Sequence, residues 1–343
     1  MNSHVLDVSD IPIISSLLSR ALSLQGTIDH DAFVEEISIL SHRLPESLIR
    51  ALTEFRLKRR GSPALVISGA PVCDDGIGPT PSHWNSSIEN SLKTKEEIFL
   101  ILCGAVLGDP ICWATQQGGK LVHDILPIKG LEHLQTGASS DIKLEWHTEE
   151  AFHELRPDYI GLLCLRNPDS TATTVGRFDP AWMSEEDIEQ LFQPRFQIRP
   201  DDSHLLEMDE RHISDQVDQQ HLARSYDAMA RRDRAPKNVS VLSGSREDPF
   251  ICIDPAYMRD PRETGPNSGS LTRAIEAIDQ HMEDLVLQPG DVAFIDNARA
   301  VHGRKPFNSR HDGTDRWLKR ISLTRDLAKS RHARIGSSNP IIY

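Results

Sequence analysis

From Cys112 onward the chain breaks into short apolar or alternating segments separated by polar turns, and this texture limits the fold more than any other feature. CWATQQ, KLVHDILP, LEWHTE, YIGLLCLRN, TATTV, VSVLSG, PFICIDP, DVAFIDN and RWLKRISLT read as strands, and the gaps between them are punctuated by Gly, Pro, Asn and Asp. Many short strands with irregular connections predict a β-sandwich or barrel. Residues 1–110 carry mainly helical signals instead. Ile13, Ile14, Leu17, Leu18 and Leu22 follow Pro12 at helical spacing, a second helix fits Asp31 to Leu40, and a third runs from Pro45 to Gly61. After a short strand from Ala64 to Ile67, Thr94 and Glu97 stand at capping-box spacing ahead of a helix ending near Leu107.

Two further helices interrupt the strands, Ser184 to Phe192 and Ser270 to Leu287; in the second, Leu271, Ile275, Ile278, Met282 and Leu285 form an apolar stripe. Asp201 to Lys237 is charged, poor in apolar residues and without a clean period, so it reads as an insertion or lid. The expectation is one domain, 1–343: a helical part (1–110) and a β core (111–330) with a lid at about 201–237.

Charge and composition remove whole classes of function. Lys and Arg total 38 against 51 Asp and Glu, a net charge of −13, the wrong sign for gripping a phosphate backbone, so no nucleic-acid partner is expected. No apolar run reaches the roughly 18 to 20 residues that cross a bilayer, and no membrane partner is expected. The first residues lack a basic region ahead of an apolar run and read as an amphipathic helix, not a signal peptide. Five scattered cysteines without a CxxC read as reduced core residues of a cytoplasmic protein. GxGxxG after a strand, HExxH and GxSxG are all absent, which removes the signatures of nucleotide folds, zincins and nucleophile-elbow hydrolases.

Fifteen histidines require a closer look. A His two residues before an acid can pair with it on one strand face, but about two such pairs arise by chance in this composition and two occur. His281 and Glu283 fall in the striped helix, where i and i+2 diverge. His147 and Glu149, in LEWHTEEAF, end a strand, and there His147 is either a structural histidine or a ligand. Downstream, LQPGDVAFIDNARAVHGRKPF delivers His302 at a strand end. Two His and one carboxylate form the facial triad of non-haem Fe(II) oxygenases, which leaves positions for a cosubstrate and O2.

In RWLKRISLT, Arg316, Leu318, Arg320, Ser322 and Thr324 share one face, while Trp317, Ile321 and Leu323, with Lys319 among them, share the other. The apolar face packs on helices, which turns the two arginines inward, about 13 Å apart at roughly 3.3 Å per residue. Inward arginines call for anions: substrate carboxylates, or acids of the protein itself.

Together, WHTEEAFHELRPDYIGLLCLRNPDSTATTV, the later VHGR and then RWLKR resemble the clavaminate synthase-like branch of Fe(II)/2-oxoglutarate oxygenases, and most closely its subgroup acting on free amino acids, such as the viomycin-pathway arginine β-hydroxylase. The resemblance spans about Gln116 to Leu327 and implies a double-stranded β-helix, or jelly roll, with flanking helices. It implies that His147, Glu149 and His302 bind iron, that Arg316 and Thr174 hold 2-oxoglutarate, and that Arg320 takes the α-carboxylate of the amino acid. Gln116, with Gln117 as the alternative register, lies near the α-amino group beside Glu149. Asp254 matches an acid that binds a guanidinium, although Ala256 stands where the arginine enzyme has a second acid. The implied reaction consumes 2-oxoglutarate and O2, releases succinate and CO2, and hydroxylates C3 of a free basic amino acid in secondary-metabolite biosynthesis. Lysine, ornithine, citrulline or asparagine as substrate, desaturation or ring closure, and a non-catalytic metal-binding jelly roll are the alternatives. Glu149 argues against halogenation, which needs the carboxylate's place empty. For Asp254 the residue pattern leaves two readings, a pocket acid facing a cationic tail or a turn acid before Pro255.

Overall fold

The computed structural model describes residues 2–24, 30–57, 61–85, 94–205, 213, 217–262 and 269–343. Two sheets face each other. The larger has eight strands, in the order Asn2–Val5, Ala64–Ser68, Val292–Asp296, Tyr159–Arg166, Trp317–Thr324, Asp109–Trp113 and Ile341–Ile342, with Val122–Ile125 also pairing with Trp317–Thr324. The smaller has four: Glu283–Leu285, Thr173–Arg177, Ala300–Arg304 and Leu144–His147. This is the expected jelly roll, mainly β with flanking helices.

The burial pattern explains the order. Tyr159–Arg166 is buried at every position but its last, so its sequence is continuously apolar, as suits a strand covered on both faces. Gly161 is required there, since a Cβ would come within 2.7 Å of Phe294 and 2.9 Å of Ile321. The outer face of the larger sheet packs through Phe294, Ile321 and Leu323 on the helices Asp10–Leu24, His30–Ser41 and Lys95–Ala105. Between the sheets lie Leu162, Cys164, Val175, Ala293 and Leu318. Thr94 caps its helix as expected, its hydroxyl accepting from Glu97 N at 3.2 Å.

Several expectations are corrected. The N-terminal part also contains a strand at Asn2–Val5, which pairs in parallel with Ala64–Ser68. The striped helix ends at Asp279, and Glu283–Leu285 is instead an edge strand of the smaller sheet, because Leu285 is buried opposite Thr173. Within the expected lid, Gln219–Arg234 is a helix capped by Asp218, whose carboxylate accepts from His221 N at 2.9 Å. Its core-facing stripe is only Leu222, Ser225 and Met229, too thin to show as a period. Residues 206–212 and 214–216 of that lid lie outside the described residues. Four cysteines are buried and free, but Cys73 is exposed. Among the described residues no helix is long and apolar enough to cross a membrane.

Candidate active site

Strand pairing builds the centre. Leu144–His147 and Ala300–Arg304 run antiparallel with His147 opposite His302, and the ring centroids are 4.7 Å apart. Gly303 permits this approach, since a Cβ there would meet Leu144 O at 2.6 Å. After His147 the chain turns sharply, with Glu150 at φ 54°, and swings Glu149 back beneath both rings. Asn297, at the corner where the chain crosses from the larger sheet to the smaller, holds that turn. Its Oδ1 accepts from Glu149 N at 2.8 Å, and its Nδ2 donates to Glu149 O at 3.1 Å and Pro157 O at 2.8 Å.

One nitrogen from each histidine and one Glu149 oxygen lie within 4.8 Å of one another. Glu149 Oε2 is 3.3 Å from His302 Nε2 and 3.6 Å from His147 Nε2. His147 Nδ1 lies 2.8 Å from Glu145 O, and a proton donated there leaves the Nε2 lone pair for a metal. Glu149 Oε2 is buried without a hydrogen-bond partner. Two imidazoles and one carboxylate with an orphaned oxygen fit divalent iron, with positions left for other ligands. Burial alone would raise the Glu149 carboxyl, but Arg320 and the two imidazoles hold it well below the usual carboxylate range.

Both arginines of RWLKRISLT face the cleft between the sheets, along with Leu318. Arg320 donates to Glu149 Oε1 through Nη1, and its Nη2 lies 2.9 Å from His123 Nδ1. Burial, then the Arg320 charge, depress the His123 pKa to about 3, so His123 is neutral and accepts that bond. Arg316 is buried, and Nη2 donates to Thr173 Oγ1 at 3.2 Å. Among the described residues Arg316 forms no ion pair with a carboxylate. The expected partner Thr174 is not brought here. In the ladder Thr174 sits opposite Gly303 and Asp284, whereas Thr173 and Val175 sit opposite Arg304 and His302 on the inner face. Successive side chains on a strand point to opposite faces, so a shift of one residue exchanges inside for outside. Lys319, on the outer face, is buried between Glu97 and Asp124.

Gln116 and Gln117 both line the cleft; Gln116 donates to Ser203 Oγ at 2.8 Å, while the Gln117 amide is taken up by Asp124. The Gln117 amide grips the Asp124 backbone, donating to Asp124 O at 2.8 Å and accepting from Asp124 N at 2.9 Å. Asp254 both closes a turn and lines the cleft. Its Oδ1 accepts from Ala256 N at 3.0 Å and Tyr257 N at 3.3 Å, closing the turn around Pro255, and the residue lines the cleft. The strand Pro249–Ile251 ends three residues before Asp254, which therefore lies in the turn beyond it. Burial pushes the Asp254 carboxyl up to about 6, the His147 charge opposing and Asp201 adding to it. His123, Asn297, Thr173, Glu150 and Asp201 were not singled out from sequence. Of these, Glu150 carried a signal as an acid directly after the His147 and Glu149 pair, and Asp201 only as the first residue of the expected lid.

A family model described as taurine catabolism dioxygenase TauD, TfdA family, matches residues 246–322. The chain is 41% identical to enduracididine beta-hydroxylase of Streptomyces hygroscopicus, over 98% of this chain and 97% of that protein. It is 39% identical to L-ornithine/L-arginine 3-hydroxylase of Catenulispora acidiphila, over 100% of both chains. The crystal structure of the non-heme iron oxygenase OrfP in complex with Fe, succinate and (3S)-hydroxy-L-Arg superposes with a TM-score of 0.88 at 39% identity, covering both chains fully. The same oxygenase has also been crystallised with Fe and alpha-ketoglutaric acid.

Proposed function

The chain belongs to the TauD/TfdA family of iron- and 2-oxoglutarate-dependent oxygenases, in its clavaminate synthase-like branch, and we propose that it hydroxylates C3 of a free basic L-amino acid, arginine foremost. One observation carries the substrate class: the cleft that holds His147, Glu149 and His302 also holds charges of both signs without ion partners. Arg316 is buried without an ion-pairing acid, and Asp254 and Asp201 form no ion pair with Lys or Arg among the described residues. A buried charge needs a partner, and a 2-oxoglutarate dianion together with a cationic amino-acid tail supplies both.

In this reading His147, Glu149 and His302 hold iron. Arg316, with the Thr173 hydroxyl, holds the distal carboxylate of 2-oxoglutarate by a charge-assisted fork. Iron and 2-oxoglutarate together supply the oxidant that places one atom of O2 on an unactivated carbon, releasing succinate and CO2. The protein's remaining task is positioning. Arg320 takes the α-carboxylate, Gln116 Oε1 and Glu149 face the α-amino group, and Asp254 with Asp201 anchors the tail, so the substrate is fixed at both ends and C3 faces the metal. Gln116 Oε1 is buried without a partner, as an acceptor awaiting an ammonium is expected to be. Asp201 offers a second carboxylate where Ala256 offers none.

We also read 1–343 as a single catalytic domain, supported by the strands Asn2–Val5 and Ala64–Ser68, which complete the larger sheet. Five free cysteines support a reducing, cytoplasmic setting. The deciding experiment incubates anaerobically iron-loaded protein with 2-oxoglutarate, air and a panel of arginine, ornithine, lysine, citrulline and asparagine, read by mass spectrometry. Gain of one oxygen on arginine or ornithine is the expected result. Preference for asparagine or citrulline over every basic amino acid overturns the substrate class.

A further inference from the structure

A second buried polar chain lies beside the metal cluster. His204 has no exposed surface. Its Nε2 is 2.7 Å from Glu150 Oε2, its Nδ1 is 2.7 Å from Thr115 Oγ1, and its ring packs edge-on against Phe152 at 5.1 Å. The residue belongs to a one-turn helix, Asp202–Leu205, and Asp201 and Ser203 beside it line the cleft. Ser203 Oγ accepts from Gln116 Nε2 and donates to Asp201 Oδ1, which also accepts from Ser203 N at 2.8 Å. Asp202 N donates to the Tyr257 hydroxyl at 3.4 Å, and Tyr257 N in turn donates to Asp254.

One turn of helix cannot hold itself in place, because its nucleus is not offset by continued propagation. Tertiary contacts must fix it, and His204 makes the buried ones: it reaches the residue after Glu149 with one ring nitrogen and the residue before Gln116 with the other. We propose that His204 is a positioning residue for substrate recognition: by bonding Glu150 and Thr115 it pins Asp202–Leu205 to the barrel, so that Asp201 and Ser203 face the substrate's charged end of the cleft. The inference rests on the basic amino-acid reading above for its effect on turnover, but the anchoring itself does not depend on it.

The test uses the full-length, iron-loaded protein with 2-oxoglutarate and L-arginine, comparing His204→Ala, His204→Gln and Thr115→Val with the parent. His204→Ala is expected to raise the arginine KM about tenfold or more while shifting the 2-oxoglutarate KM by less than about twofold, and to consume 2-oxoglutarate without matching product. His204→Gln, which can still donate to Glu150, restores part of the loss, and Thr115→Val shifts the arginine KM in the same direction by less. Hydrogen exchange without any amino acid gives an independent reading: the Asp202–Leu205 amides lose protection in His204→Ala. An unchanged arginine KM and coupling in His204→Ala overturns the proposal, as do equal losses for both ligands across the variants. Should His204→Ala fail to fold, His204→Gln and Thr115→Val decide on the same terms. Should the parent oxidise no basic amino acid, the functional reading fails and the exchange data judge the anchor alone, with retained protection in the folded variants overturning it.

Discussion

His302 stands directly across the antiparallel ladder from His147, and the register shifts between His302 and Arg304 just beyond that pair. The spacing of the two imidazoles is thus set by backbone pairing between strands more than 150 residues apart, with Glu149 delivered by the turn that follows. A ladder gives a rigid mount, which a metal site with narrow tolerance requires.

Single replacement of His147, Glu149 or His302 by Ala is therefore expected to weaken Fe(II) binding by more than about 100-fold, beyond what loss of a merely supporting hydrogen bond produces, while the fold survives. Iron titration followed by visible absorption in the presence of 2-oxoglutarate measures it. Full coupled turnover by His302→Ala would remove the assignment.

The inner face of Thr173–Arg177 gives a second prediction. Arg316→Ala raises the 2-oxoglutarate KM by about ten- to a hundredfold, the loss of a charge-assisted bond worth roughly 1.5 to 3 kcal/mol. Thr173→Val raises it a few-fold, and Thr174→Val leaves it unchanged. The reverse order for the two threonines would contradict the observed register.

Arg320→Ala is expected to act on the amino acid instead, raising its KM about tenfold or more and uncoupling succinate formation from hydroxylation. Parallel ligand titrations of both arginine variants separate the roles. Equal effects of both changes on both ligands would refute the division.

Asp254 carries a trade-off between stability and recognition. Its carboxyl is raised from 3.8 to about 6 in the folded protein, so its contribution to stability is fully present below about pH 4 and lost as pH rises through about 6. At neutral pH the ionised group costs about 1 to 3 kcal/mol of stability. Asp254→Asn should accordingly raise the unfolding midpoint near neutral pH but not near pH 4, while abolishing the preference for basic amino acids. The arginine kcat/KM of the parent should climb as pH rises through about 6, and the Asn variant should lack that limb.

Lys319 gives a purely structural prediction. It bonds Glu97 Oε1 at 2.7 Å and Asp124 Oδ1 at 2.6 Å with almost no exposed surface. Truncation to Ala leaves buried Glu97 without this ion partner and Asp124 with Lys120 at 3.0 Å, and breaking a buried pair in this way typically costs about 3 to 5 kcal/mol. Denaturant unfolding measures the loss.

Much of this molecule was legible in the chain because strand period is local. The alternation in RWLKRISLT by itself placed Arg316 and Arg320 inward and Lys319 outward, since side chains two apart share a face whatever the partner strand. For His147 and Glu149 the local spacing only made a pairing possible, and the turn after the strand, with Glu150 at φ 54°, brings them together. Local pattern failed where a signal was thin or shared. The Gln219–Arg234 helix shows only three buried positions, and the stripe across Ser270 to Leu287 runs through a helix into an edge strand without a break in apolar content.

The sequence by itself determined the strand-rich core and the shared face of its two arginines, because strand alternation depends only on chemistry within a few residues. Only the tertiary structure decided that Thr173 rather than Thr174 meets Arg316, that Gln116 bonds Ser203 while Gln117 is taken up by the Asp124 backbone, and that Asp201 joins Asp254 in lining the cleft. The first turns on which strand lies opposite and in what register, the other two on how a 3-10 turn and a one-turn helix fold over the cleft. Register is settled by summed packing and hydrogen bonding across the whole sheet, which no window of sequence contains.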